Sequence, residues 1–196
     1  MCFLRSLLQV TQPHSKDKVM MDMGIPLETE DMADKLAIIE VLQLHSRGLD
    51  RLDSTLLQHC YWPEAEVDYG SYKGPAQAFA KLVVEALGGA YELTRHSLGN
   101  TLVSLEGSSA RCESYVNADH LLPGGGQEMC FAGRYLDLLE KRQGQWRMLH
   151  RQVVMDWSRT REVEDERDSD AFLQLAKGSH GDQDPLHEFL NAGGHA

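Results

Sequence analysis

Among the nine histidines of this 196-residue chain, His96 has the sequence neighbours best suited to general-base chemistry. It lies in Thr-Arg-His-Ser-Leu-Gly-Asn, Thr94 to Asn100, whose alternation is that of a half-buried strand. Period two puts His96 on one face with Leu98, Asn100 and Leu102. An imidazole set against an apolar face can take a proton from a substrate, or it can be a core histidine satisfied by one hydrogen bond. Elsewhere in the chain, Arg-Gly-Leu-Asp-Arg-Leu-Asp, Arg47 to Asp53, carries two candidate carboxylates. Asp53 reads as the N-cap of a short helix reaching Cys60, whereas Asp50 has no such structural duty.

The elements that must position these groups are legible in outline. Pro26 introduces a first helix, about Glu28 to Arg47, with acidic residues at its positive end and an apolar stripe of Ile38, Val41, Leu42, His45 and Leu49. Gly48 is expected to loosen its end. Tyr61 to Glu64, with Pro63, reads as a turn before a short strand, Ala65 to Tyr69. Pro75 starts a third helix, about Ala76 to Leu87, which Gly88 and Gly89 end. Four longer strands follow, Glu92 to Leu105, Ala110 to Leu122, Glu128 to Glu140 and Trp146 to Trp157, joined by short glycine-bearing turns as a meander. The fold class is therefore α+β: a curved antiparallel sheet, cone-like, wrapped around N-terminal helices and enclosing one pocket. Residues 1–24 read as a disordered extension or misassigned start, 25–158 as the domain, and 159–196 as a charged C-terminal tail. Phe172, Leu173, Leu175, Leu186, Phe189 and Leu190 could dock that tail over the domain or a neighbouring subunit.

Composition narrows the partners. The formal net charge of -11, with no basic block, argues against nucleic acid or an anionic membrane surface. The short apolar opening is too brief to span a bilayer and lacks a cleavage site. Cys2, Cys60, Cys112 and Cys130 have neither metal-ligand nor disulfide-framework spacing, which points to a reducing cytoplasm. His14, His59, His120, His180, His187 and His195 show no metal spacing and read as solvated or structural. With no phosphate loop, dinucleotide fingerprint or nucleophile elbow, a mechanism without cofactor or metal is expected, on a small neutral or apolar ligand.

Arg47-Gly-Leu-Asp50, Tyr72-Lys-Gly-Pro75, His96 with Gly99-Asn100, Gly133-Arg-Tyr135, and Trp146 through Asp156-Trp157 together resemble the SnoaL-like branch of the nuclear transport factor two-like superfamily. The resemblance covers about Leu36 to Trp157. Its elimination enzymes include hexachlorocyclohexane dehydrochlorinase, bile acid 7α-dehydratase and scytalone dehydratase. It implies that Asp50 and His96 form a general-base dyad in a dehydratase-type lyase acting on a cyclic or polycyclic hydroxy compound such as a steroid or polyketide. His45 falls where relatives carry a tyrosine or lysine that contacts the leaving group, and Arg151 matches a basic pocket residue. By alternation only one of His150 and Arg151 enters the cavity unless a bulge intervenes, and Arg151 is preferred. Tyr69, Asn100 and Tyr115 are further substrate-binding candidates, with Asn117 and Asp119 on the face of Tyr115. An isomerase or cyclase using the same base, a non-catalytic ligand-binding module and a dioxygenase small-subunit-like protein are the alternatives. The resemblance also implies a homo-oligomer, a trimer or dimer.

Overall fold

The computed structural model describes residues 29–192. The expected extension, 1–24, lies outside them, as do His14 and His195. Helix α1 spans Thr29–Asp50, α2 Ser54–His59 and α3 Ala76–Ala90, while α4, Pro185–Ala192, follows a short 3-10 turn at Gly181–Gln183. The strands are β1 Tyr61–Asp68, β2 Lys73–Pro75, β3 Leu93–Glu106, β4 Ser109–Leu121, β5 Gln127–Arg142 and β6 Gln145–Glu162. They form one sheet in the order β2-β1-β6-β5-β4-β3. Every pairing is antiparallel except β1 with β6. The sheet is thus mixed, not wholly antiparallel, and it is not closed.

Helix α1 buries Ile38, Leu42, His45 and Leu49, positions that return to one side at 3.6 residues per turn. They pack with Tyr61, Val67, Phe79, Leu139 and Met148 into cores between the helices and the sheet's inner face. Asp53 caps α2 as expected, its carboxylate accepting the Leu56 N–H at 2.8 Å.

Several boundaries differ from the sequence reading, each for a physical reason. Helix α1 continues through Gly48 to Asp50 because the glycine serves close packing and does not end the helix. A Cβ there would stand 2.8 Å from Leu57 Cγ. Helix α3 likewise runs through its two glycines. Strand β1 starts at Tyr61 despite Pro63, whose missing N–H is tolerated where the β1–β6 register shifts between Tyr61 and Glu66. Strand β6 absorbs the charged run as far as Glu162, pairing it with the start of β5 and setting Arg161 against Glu128 at 2.7 Å.

Three bulges matter more, since each extra residue turns the following side chains to the other face. One lies in β3 between Leu98 and Thr101, one in β6 opposite Leu138 and Leu139, and one in β6 opposite Ala132 and Gly133.

The C-terminal segment returns to the end of α1. Gly181 N–H donates to Arg51 O at 2.9 Å, Asp184 faces Arg51 Nε at 3.3 Å, and Arg167 pairs with Glu92. Of its apolar residues, Phe172, Leu173, Leu175, Phe189 and Leu190 are exposed and Leu186 is half-buried, while the contacts to α1 and Glu92 are polar.

Candidate active site

The last residue of α1 and the start of β3 meet at the sheet's inner face. His96 Nδ1 lies 2.7 Å from Asp50 Oδ1. Because an ionised carboxylate only accepts, Nδ1 carries the hydrogen and the lone pair sits on Nε2. Nε2 has no protein partner among the described residues, and the side chain is 7% exposed. The Asp50 carboxylate also accepts the His96 backbone N–H at 3.0 Å and the Thr94 hydroxyl at 3.0 Å. A carboxylate at a helix C-terminus is disfavoured by about 0.3–1 kcal/mol. Each hydrogen bond to a charged group contributes about 1.5–3 kcal/mol, so three donors outweigh the dipole and fix the carboxylate on β3.

A second cluster lies deeper. Arg151 is fully buried and binds Asp137 through two bonds, Nε to Oδ1 at 2.7 Å and Nη2 to Oδ2 at 2.8 Å. Its Nη1–H donates to His45 Nδ1 at 2.9 Å, and the guanidinium stacks 4.0 Å from the Tyr135 ring centre. His45 must then carry its hydrogen on Nε2, which donates to the Tyr61 hydroxyl at 2.8 Å. Burial first, then the Arg151 charge, holds the His45 pKa well below its usual value, so it is neutral. Tyr69 stacks on Phe79 at 4.1 Å, and its buried hydroxyl has no hydrogen-bond partner.

The cleft that reaches the dyad has a volume of about 320 Å³ and is walled by Asp50, Arg51, Thr94, His120, Leu121 and Gly178, among others. His96 is not itself on that wall, but its ring stands edge-on to the wall residue His120, with centres 5.5 Å apart.

The sequence candidates therefore separate. Asp50 and His96 come together. His45 and Arg151 are buried, their nitrogens engaged with Asp137, Tyr61 and each other, and neither lines the cleft; nor does Tyr69. Arg151 does point inward while His150 is exposed, because the β6 bulge lets Trp146, Met148 and Arg151 share a face. Asn100 is exposed, since the β3 bulge carries the inner face from Leu98 to Thr101. Tyr115 is 46% exposed on the outer face of β4, with Asn117 exposed beside it.

The inner face of β4 holds Ser114, Val116, Ala118 and His120. His120, read as solvated or structural, is 5% exposed, stacks on Tyr91 at 4.3 Å and leaves Nδ1 buried without a partner. Burial and then the neighbouring His96 push its pKa down to about 4. Pairing of Thr94 with His120 across β3 and β4 was the signal that could have found it. Asp137 was also missed, although a lone carboxylate alternating with Tyr135 and Leu139 marks it.

A family model described as SnoaL-like domain matches residues 30–152. The chain belongs to the SnoaL-like family. Solved structures agree on the SnoaL-like fold. A protein of Novosphingobium aromaticivorans carrying the provisional name scytalone dehydratase superposes with a TM-score of 0.62 at 21% identity, covering 68% of this chain and 91% of that one. A type 3 hexachlorocyclohexane dehydrochlorinase from Novosphingobium barchaimii gives 0.58 at 22% identity, over 67% and 91%. A second Novosphingobium aromaticivorans protein, provisionally named an aromatic ring hydroxylase, gives 0.60 at 17% identity, over 71% and 96%. No functionally curated protein matches the sequence. Among the described residues, no helix of this SnoaL-like chain is long and apolar enough to cross a membrane.

Proposed function

We propose that the chain is a lyase of the dehydratase type, in which His96 acts as the general base and Asp50 orients it. The observation carrying this reading is the 2.7 Å bond from His96 Nδ1 to a carboxylate that two further groups of β3 hold in place. Such a partner fixes the tautomer and stabilises the imidazolium, leaving Nε2 to accept a proton. In the reaction, Nε2 takes a proton from carbon next to a carbonyl or leaving group, the C–H electron pair becomes the new double bond, and the C–O bond breaks. The imidazolium then returns its proton to the departing hydroxide, giving water and regenerating the base. A positioned base of this kind contributes about 10²- to 10⁴-fold in rate.

Cyclic or polycyclic hydroxy compounds, such as steroids or polyketides, are the proposed substrates; the dehydratase and dehydrochlorinase names among similar structures agree with elimination. Isomerisation by the same base is the second reading: with His45 and Arg151 engaged elsewhere, no second acid assists a leaving group, and His96 would return its proton to another carbon of the substrate. Incubating the protein with hydroxy-steroids, polyketide intermediates and halogenated rings, with mass spectrometry of the products, tests both. Loss of water or acid from a compound supports the lyase, an isomer of unchanged mass supports the second reading, and no change in any compound opposes both.

A further inference from the structure

His120 joins the cleft to the base. It stands on the cleft wall, and its ring meets that of His96 edge-on, with centres 5.5 Å apart. The sheet dictates this placement. Thr94 pairs with His120 and His96 with Ala118, so the two histidines are diagonal neighbours on the inner face of adjoining strands. Tyr91 stacks on the His120 ring at 4.3 Å and fixes its plane. Among the described residues no protein group bonds either ring nitrogen, and only Nδ1 is sealed from solvent, which leaves Nε2 as the atom open to the cleft. A buried N–H without an acceptor is rarer than a buried lone pair without a donor, so the hydrogen sits on Nε2. Burial, then the neighbouring His96, keeps this ring neutral. A neutral imidazole that turns its N–H towards a substrate is a poor base and a good donor to an oxygen gaining charge.

We propose that His120 is a second catalytic residue, donating its Nε2–H to the carbonyl oxygen of a ring ketone whose α-proton His96 removes. The inference rests on the lyase reading and deepens it by naming a β-hydroxy ring ketone as the substrate class. A single carbon separates a carbonyl oxygen from the α-carbon, so two adjoining rings can address both. As His96 Nε2 takes the proton, the C–H electron pair moves onto the carbonyl oxygen, where the His120 hydrogen bond stabilises it. The pair then returns to form the C=C bond, the C–O bond to the β-hydroxyl breaks, and the hydroxide takes the proton from His96 and leaves as water. Removing one such donor from an oxyanion slows a reaction by about 10²- to 10³-fold.

The test titrates the full chain, labelled with ¹⁵N, with cyclohexanone and with methylenecyclohexane. The ketone accepts hydrogen bonds but has no O–H to give to the His96 lone pair, and the hydrocarbon has its shape without the oxygen. Cyclohexanone is expected to shift the His120 ring nitrogens saturably and to bind about tenfold more tightly than the hydrocarbon, the contribution of one hydrogen bond. His120→Phe keeps a ring against Tyr91 and should lose that preference, His120→Gln, whose amide also donates, should keep part of it, and His96→Ala should keep it whole. Exchange of the ketone's α-hydrogens in heavy water, read by mass spectrometry against protein-free buffer, follows the base. It should vanish in His96→Ala and slow by about 10²- to 10³-fold in His120→Phe. Equal binding of the two compounds, no saturable shift at His120, or a preference or exchange rate that His120→Phe leaves unchanged would overturn the role of His120. No exchange in the wild type, with the ketone preference intact, would instead overturn the lyase reading on which that role rests.

Discussion

Replacing Asp137 by alanine isolates what the deep charge cluster does for the fold. Asp137 and Arg151 have side chains with 0% exposure, and the carboxylate accepts two of the guanidinium's hydrogen bonds at 2.7 and 2.8 Å. Without it, Arg151 remains buried with only neutral His45 and the Tyr135 ring as partners. Removing one member of a buried ion pair costs about 3–5 kcal/mol, because the other charge is left uncompensated. In a domain of this size each kcal/mol moves the melting temperature by about 2–4 °C, so a drop of about 6–20 °C is expected. Replacing both charges, Asp137→Leu with Arg151→Met, should recover part of that loss, since no ion is then stranded. Urea denaturation followed by circular dichroism measures all three proteins. The reasoning fails if Asp137→Ala stays within 1 kcal/mol of wild type, or if the double variant is less stable than the single one.

Other consequences follow from the same contacts. His120 has a folded-state pKa of about 4, below its unfolded value, so the unfolded chain binds the extra proton. Its contribution is complete above about pH 6.5 and fades as pH falls towards 4, with a loss of up to about 2 kcal/mol by pH 5. His120→Gln should flatten that part of the stability profile, and an unchanged slope between pH 7 and 5 would contradict the assignment. Gly48→Ala presses a methyl against Leu57 and should cost about 1–3 kcal/mol in denaturant titrations, whereas a neutral result would mean that α2 yields freely. Leu102, Tyr115, Met155 and Trp157 are each about half exposed or more, which supports the proposed homo-oligomer. Light scattering should give a mass above one chain that falls on Met155→Glu, and a wild-type monomer would remove that proposal.

The features legible in the sequence are those set by local periodicity. The β3–β6 meander follows from alternation and glycine turns, and the buried stripe of α1 from its 3.6-residue repeat. The same rule puts His96 on the inner face, and the family resemblance names Asp50 as its partner. Alternation fails at bulges, because an inserted residue shifts every later side chain by one face. That is why alternation puts Asn100 beside His96, and why it cannot by itself choose between His150 and Arg151 on β6. His120 depends on its cross-strand partner Thr94, which no single strand reveals, whereas Asp137 is marked in its own strand but its partner Arg151 lies on the next one. Gly48 in α1 and Gly88 in α3 look like helix ends in the sequence because their close contacts with Leu57 and Leu52 exist only in the packed structure.

The central claim is that His96, held by Asp50, is the base. Its most direct measurement is the turnover of the compound consumed most rapidly in the product screen, compared among wild type, His96→Ala and Asp50→Asn. Circular dichroism verifies that each variant is folded. A reduction of about 10²- to 10⁴-fold is expected for each variant. Full activity in either folded variant would contradict the account.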